Sequence, residues 1–231
     1  MRLVLLALCT VSLAFPAASA PASATQALWP AAGELLVPQV RVRLKPDRRA
    51  PIVRVLGEFR RDYRPRVVLA LAAHTAADGS RWYRLSLPGR PNGGRGWVPA
   101  WVVRLRPVEN RIVVHRGARR LEVRRLSDGK ALFRARVAVG APVAPTPLGR
   151  SFFVQWRYAP TDRFYGPLAL ETSAYSRLSD WPGGGIVGIH GTSRPDLIGL
   201  AVSHGCIRMR NEDVVRLRRL APVGTPLDVL P

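Results

Sequence analysis

Between residues 35 and 190 the apolar residues of this chain come in short, strand-length runs separated by turn formers, a pattern that commits it to a mainly β fold. Val40, Val42 and Leu44 alternate with Arg41 and Arg43, as a strand with one buried face requires. Further runs follow at 52–56, 67–72, 82–87 and 97–103, broken by Pro46-Asp47, Gly57, Ala77-Asp78-Gly79 and the glycine-rich stretch 89–96. These place a first, small β region at 35–106. Pro107 to Asn110 forms a joint. A second region, 110–231, again opens with strands, at 111–115, 121–126 and 132–139, with a hairpin signal at Ser127-Asp128-Gly129-Lys130. Runs at 152–158, 168–172, 185–190 and 227–230 continue the pattern. One helix stands out, with Asn211 as N-cap, Glu212 and Asp213 at its positive end and Arg216, Arg218 and Arg219 at its negative end. The two regions are expected to be separable, the second folding without the first.

Residues 1–20 read as an export signal: Arg2, an apolar stretch to Phe15, and the small-residue site Ala18-Ser19-Ala20. That stretch is too short to span a membrane, and nothing later reaches the required length, so no transmembrane segment is expected. Cys9 lies inside the signal, too early for a lipid anchor. The chain carries 36 Lys+Arg against 15 Asp+Glu, a formal charge of +21, nearly all of it arginine. Such a charge favours polyanions, including anionic cell-wall polymers. The basic residues are scattered and accompany no nucleic-acid motif, so no nucleic-acid partner is expected.

With Cys9 removed, Cys206 is the single thiol of the exported chain and has no partner for an internal disulfide. An inert thiol, an intermolecular bridge, a metal ligand and a nucleophile remain. The string Ser203-His204-Gly205-Cys206-Ile207-Arg208, with His190-Gly191-Thr192 upstream, favours the nucleophile. In an extended segment His204, Cys206 and Arg208 share one face, roughly 6–7 Å apart per step. A cationic Arg208 lowers the thiol pKa, and a histidine in contact takes its proton. Gly205 lets substrate approach the backbone, and amides around Gly205 and Cys206 can hold an oxyanion. Spacing alone does not decide the base. His190, ending the apolar run 186–189, is taken as that base, and His204 as orienting the loop or lining the groove. A zinc site of His190, His204 and Cys206 lacks an evident fourth ligand and would set Arg208 against a dication, so no metal or other cofactor is expected.

These strings resemble the signature of the L,D-transpeptidase (YkuD-type) catalytic domain. Val139-Gly140, Thr146-Pro147-Leu148-Gly149 with Phe152, Gly166-Pro167 and the 211–213 helix start are similar to that family's other motifs, and the likeness spans about 110–231. The strings Val40 to Arg43, Trp82 to Leu85 and Gly96 to Val98 resemble a bacterial SH3-like barrel. Trp82, Trp97 and Trp101 there suit an aromatic core better than a ligand surface. The resemblance implies a small SH3-like β-barrel before a YkuD-type β-sandwich with a short helix. It implies a peptidoglycan enzyme of cell-wall biogenesis and cell shape, in the periplasm or cell wall of a bacterium. Cys206 would attack the bond before the terminal D-alanine of a wall tetrapeptide stem, and an amine would then take the acyl group. Water as acceptor gives an L,D-carboxypeptidase; a degraded site gives a non-catalytic wall-binding protein. The resemblance further implies that the Gly191 carbonyl orients His190, that Arg208 engages substrate charge or holds the groove, that Ser203, His204 and Gly205 shape the substrate site, and that Tyr165 contacts oxyanion or substrate. The stretch 173–185 departs from the family's shorter connection and is expected as a flap over the groove.

Overall fold

The computed structural model describes residues 29–180 and 182–231; the expected export signal at 1–20, with Cys9, lies outside them. Two sheets carry the mainly β architecture. The N-terminal sheet comprises β1 (Ala31–Leu35), β2 (Gln39–Arg43), β3 (Ile52–Gly57), β4 (Val67–Thr75), β5 (Arg81–Ser86), β6 (Arg95–Pro99) and β7 (Val103–Pro107), in spatial order β3-β2-β6-β5-β4-β1-β7. Its alternation is the expected one: Val40 and Val42 are buried while Arg41 points outward. Trp82 is core, its Nε1 donating to Ser80 Oγ at 2.9 Å, whereas Trp101 is 67% exposed and contributes nothing to that core.

Two elements differ from expectation. The 97–103 run is cut by a 3-10 turn at Ala100–Val102, after which β7 leaves to pair with β1. β1 itself, Ala-Ala-Gly-Glu-Leu, has no alternation to betray it, because it is sandwiched between β4 and β7 and buries four of its five residues.

The C-terminal sheet contains β8 (Asn110–His115), β9 (Arg120–Arg125), β10 (Ala131–Arg136), β12 (Gly149–Tyr158), β13 (Ala169–Tyr175), β14 (Ile186–His190), β16 (Ile207–Arg208) and β17 (Pro226–Leu230), in order β10-β9-β8-β17-β12-β13-β14-β16. A separate parallel pair joins β11 (Val139–Gly140) to β15 (Ala201–Ser203). Helix α1 (Asn211–Leu220) buries Val214 and Leu217 against this core. Arg210 takes the N-cap position, with no side-chain cap, and Asn211 is engaged elsewhere, contrary to the sequence expectation.

The two sheets share an apolar contact. Phe153 and Val108 pack with Ala32 and Leu69, and Ser86 Oγ donates to the Ser151 carbonyl at 2.6 Å. The 173–185 stretch is also tied across this boundary. Asn92 exchanges two hydrogen bonds with the Tyr175 backbone, and Arg90 donates to the carbonyls of Ser176, Leu178 and Gly184. The stretch expected as a flap over the groove is therefore fastened to the loop between β5 and β6.

Candidate active site

β14 and β16 run parallel side by side, with Ile189 opposite Ile207 and His190 opposite Arg208. This pairing brings His190 beside Cys206, sixteen residues later in sequence. A Cβ placed on Gly188 would lie 3.8 Å from His190 Cδ2 and 3.9 Å from Cys206 Sγ, so imidazole and thiol flank one point. Gly188 N–H donates to Cys206 Sγ at 3.3 Å. His190 Nδ1 lies 2.6 Å from the Gly191 carbonyl, which accepts its hydrogen and leaves Nε2 as the proton acceptor. The edge of the Tyr165 ring meets the imidazole at 5.0 Å between centroids.

The turn that carries Cys206 is held by side chains on two other segments and by its own Ser203. The backbone bends at His204-Gly205, so 203–208 is no continuous strand, and the expected common face of His204, Cys206 and Arg208 does not form. Gly205 sits at φ +119°, where a side chain would be strained, and a Cβ would also press within 3.0 Å of Ser176. His204 turns outward to an exposed position, and its carbonyl accepts from Ser176 Oγ at 2.8 Å. Ser203 Oγ accepts from Gly205 N–H at 3.2 Å and donates to the Cys206 carbonyl at 2.5 Å. That engagement removes the Gly205 amide from the expected oxyanion donors. Thr146 Oγ1 accepts from Gly140 N–H and donates to the Gly205 carbonyl, both at 2.9 Å.

The loop after His190 is fastened by Asn211, whose Oδ1 accepts from Thr192 N–H at 2.8 Å. Gly191 and Gly166 close on the same oxygen; a Cβ on either would lie 2.4 Å from it. Thr146, Ser176 and Asn211 are the positioning residues that sequence reasoning missed. Thr146 and Asn211 lay within quoted motifs, but nothing local showed where their oxygens point.

Arg208 is buried, its guanidinium 4.8 Å from the centroid of the Phe164 ring, and its Nε has no hydrogen-bond partner among the described residues. Burial lowers its pKa, an effect that the neighbouring thiolate would oppose.

Electrostatics depart from the expected thiolate. Protein crowds the sulfur although the residue is partly exposed, and this burial pushes the Cys206 thiol up, against the opposing pull of Gly188 N–H and Arg208. Burial also lowers His190, to about 4, with the Gly191 carbonyl opposing and Arg208 assisting. Both shifts favour the thiol and the neutral imidazole over the ion pair. Arg208 does pull the thiol down, as expected, but desolvation wins.

Cys206, His190, Gly188 and Tyr165 border a groove of about 450 Å³. Tyr158 and Tyr165 line it, and both are held as phenols above their ordinary pKa, chiefly by burial. The loop between β3 and β4 of the N-terminal region also lines it, through Arg60, Asp62 and Arg64. Among the described residues no three His, Cys, Asp or Glu side chains converge as metal ligands.

A family model for the L,D-transpeptidase catalytic domain, YkuD, matches residues 109–229. Over 95 residues the chain is 37% identical to the putative L,D-transpeptidase YkuD of Bacillus licheniformis, covering 41% of this chain and 51% of that protein. Over 93 residues it is 36% identical to the Bacillus subtilis protein of the same name, covering 40% and 50%. The matches thus span about half the length of these curated relatives. An L,D-transpeptidase structure from Mycobacterium smegmatis aligns with a TM-score of 0.45 at 18% identity, over 70% of this chain and 93% of that one.

Proposed function

The chain belongs to the L,D-transpeptidase catalytic-domain family, and we propose from this premise that it is an exported peptidoglycan L,D-transpeptidase working through a Cys206 acyl-enzyme. The observation that carries the reading is the His190–Cys206 pair lining the groove, with Nδ1 fixed by the Gly191 carbonyl and Nε2 left to accept a proton.

His190 Nε2 takes the thiol proton as Sγ attacks the carbonyl before the terminal D-alanine of a tetrapeptide stem. The carbonyl oxygen gains the negative charge, and Cys206 N–H and Tyr165 O–H are the donors assigned to it. The C–N bond then breaks, D-alanine leaves with the proton from His190, and a thioester remains. An acceptor amine attacks that thioester and gives its proton to His190. The C–S bond breaks, and the proton returns to sulfur. Arg208, buried and short of acceptors at Nε, supports the thiolate as it forms. Ser203, His204 and Gly205 shape the turn.

Residues 1–20 serve as the export signal in this reading, and the N-terminal sheet as an SH3-like module that holds the enzyme on the wall. The arginine excess adds attraction to anionic wall polymers. Among the described residues no helix is long and apolar enough to cross a membrane. Purified protein incubated with a disaccharide-tetrapeptide, with and without a second stem peptide, tests the reading by mass spectrometry. A cross-linked dimer supports it; a trimmed tripeptide alone makes the enzyme a carboxypeptidase; no reaction leaves a wall-binding protein.

A further inference from the structure

The loop joining β3 to β4 leaves the N-terminal sheet and ends at the catalytic groove. It is closed by its own bonds. Phe59 and Pro65 form a bridge, Arg60 N–H donates to the Arg64 carbonyl at 2.9 Å, and Arg66 Nε donates to the Gly57 carbonyl at 2.7 Å. From it Arg60, Asp62 and Arg64 project into the same groove as Cys206 and His190.

Two of these residues act as a fastener. Arg60 forms an ion pair with Glu171 and another with Asp62, at 3.1 Å, and its side chain is only 13% exposed. Glu171 faces Gly188 across the β13–β14 ladder, and Gly188 is the residue whose N–H meets the sulfur. The loop is thereby fixed one strand away from the nucleophile.

Arg64 differs. Its side chain is 38% exposed, and its contacts with Asp62 and Glu171, at 3.5 and 3.4 Å, are longer and both made by Nη1. The indole of Trp156 lies beneath it, 5.1 Å from guanidinium carbon to ring centroid, and keeps the fork in place. A guanidinium carries five donors in a fixed plane matched to a carboxylate, and Nε and Nη2 remain for an outside acceptor. We propose that Arg64 is a specificity-determining residue of the groove, binding a free carboxylate of the donor stem peptide away from the scissile bond. The N-terminal sheet then supplies part of the substrate site. This proposal rests on the transpeptidase reading.

Two donor stems test it: a tetrapeptide with its non-terminal carboxylates free, and the same peptide with those groups as carboxamides. Initial rates of Cys206 acylation are read by intact-mass spectrometry for wild type, Arg64→Gln and Arg64→Lys. The expected result is a wild-type preference for the free acid of roughly ten- to hundredfold, the scale of a charge-assisted bond. Arg64→Gln should lower only the free-acid rate until the two converge, and Arg64→Lys should restore part of the difference. Iodoacetamide labelling of Cys206 should stay at its wild-type rate, and thermal unfolding should fall only slightly, with the loss of the long Asp62 and Glu171 contacts and the Trp156 stack. Equal wild-type rates for the two stems, or an equal fall of both rates in Arg64→Gln, would overturn the proposal while leaving the transpeptidase reading standing. Acylation by neither stem would sink both.

Discussion

Thr146 Oγ1 donates to the Gly205 carbonyl at 2.9 Å, so a hydroxyl 59 residues upstream sets the turn that carries Cys206. The same oxygen accepts from Gly140 N–H, and Thr146 is fully buried. Thr146→Val keeps the shape and removes both bonds, leaving two buried backbone groups unpaired. The expected cost is about 1–3 kcal/mol of stability. Acylation should fall further than thermal melting suggests, because Gly205 loses its anchor. Melting curves and acylation rates on Thr146→Val and Thr146→Ser check this; the serine variant should recover most of both.

Titration of the pair gives a sharper expectation. With the thiol raised by burial and His190 lowered to about 4, both groups are neutral across the intervening range. Iodoacetamide labelling of Cys206 should have its midpoint above the free-cysteine value of about 8.5. The acid limb of turnover should lie near the His190 value of about 4 rather than at the usual imidazole range near 6.5, because protonation of Nε2 is what removes the base. A labelling plateau below pH 7 that vanishes in His190→Ala would show a preformed thiolate–imidazolium pair instead.

Removal of residues 29–107 should not leave an intact catalytic unit. Phe153 is fully buried, partly against Ala32 and Leu69, and the 173–185 stretch loses Arg90 and Asn92. Exposure of Phe153 alone should cost about 2 kcal/mol. Differential scanning calorimetry of the truncated protein should show a lower Tm, and acylation of small soluble donors should weaken as the groove loses a wall. A truncated protein with wild-type Tm and rate would contradict this expectation and support two separable domains.

Acid stability should depend on Glu122. Its carboxylate is closed off by Arg120, Arg124 and Arg134, at 3.1, 2.5 and 3.2 Å. Burial alone would raise its pKa, yet the hydrogen bond from Arg124 and the three cations together hold it below the usual carboxylate range. The folded value lies below the unfolded one, so the stabilisation is complete above the unfolded pKa and is lost as pH falls through the folded one. Glu122→Gln should lower stability near neutrality by about 2 kcal/mol and flatten its decline below pH 4. Urea unfolding at a series of pH values reads both; an unchanged acid slope contradicts the assignment.

What the sequence disclosed was local. The alternation at Val40 and Val42 needed only the strand period, and the string around Cys206 carried its chemistry in adjacent letters. What it concealed was long-range or collective. β1 lacks alternation because both its edges are paired and nearly all of it is buried. The bend at Gly205 depends on Thr146 and Ser176, far away in the chain. Asn211 reads as a helix cap, but its oxygen is recruited by Thr192 N–H. Arg64 gives no local sign that it borders the groove, since only the packing of two sheets takes it there. The direction of the thiol shift followed from burial, which the letters beside Cys206 do not display.

The central claim is a covalent intermediate on Cys206, and intact-mass spectrometry of protein mixed with a tetrapeptide donor tests it most directly. Wild type should gain the mass of the donor's acyl tripeptide, mapped to the peptide containing Cys206, as free D-alanine appears in equal amount. His190→Ala should form the adduct roughly 10²- to 10⁴-fold more slowly, the usual worth of a positioned general base. Cys206→Ala should form none and release no D-alanine. D-Alanine release by Cys206→Ala at the wild-type rate would contradict the account.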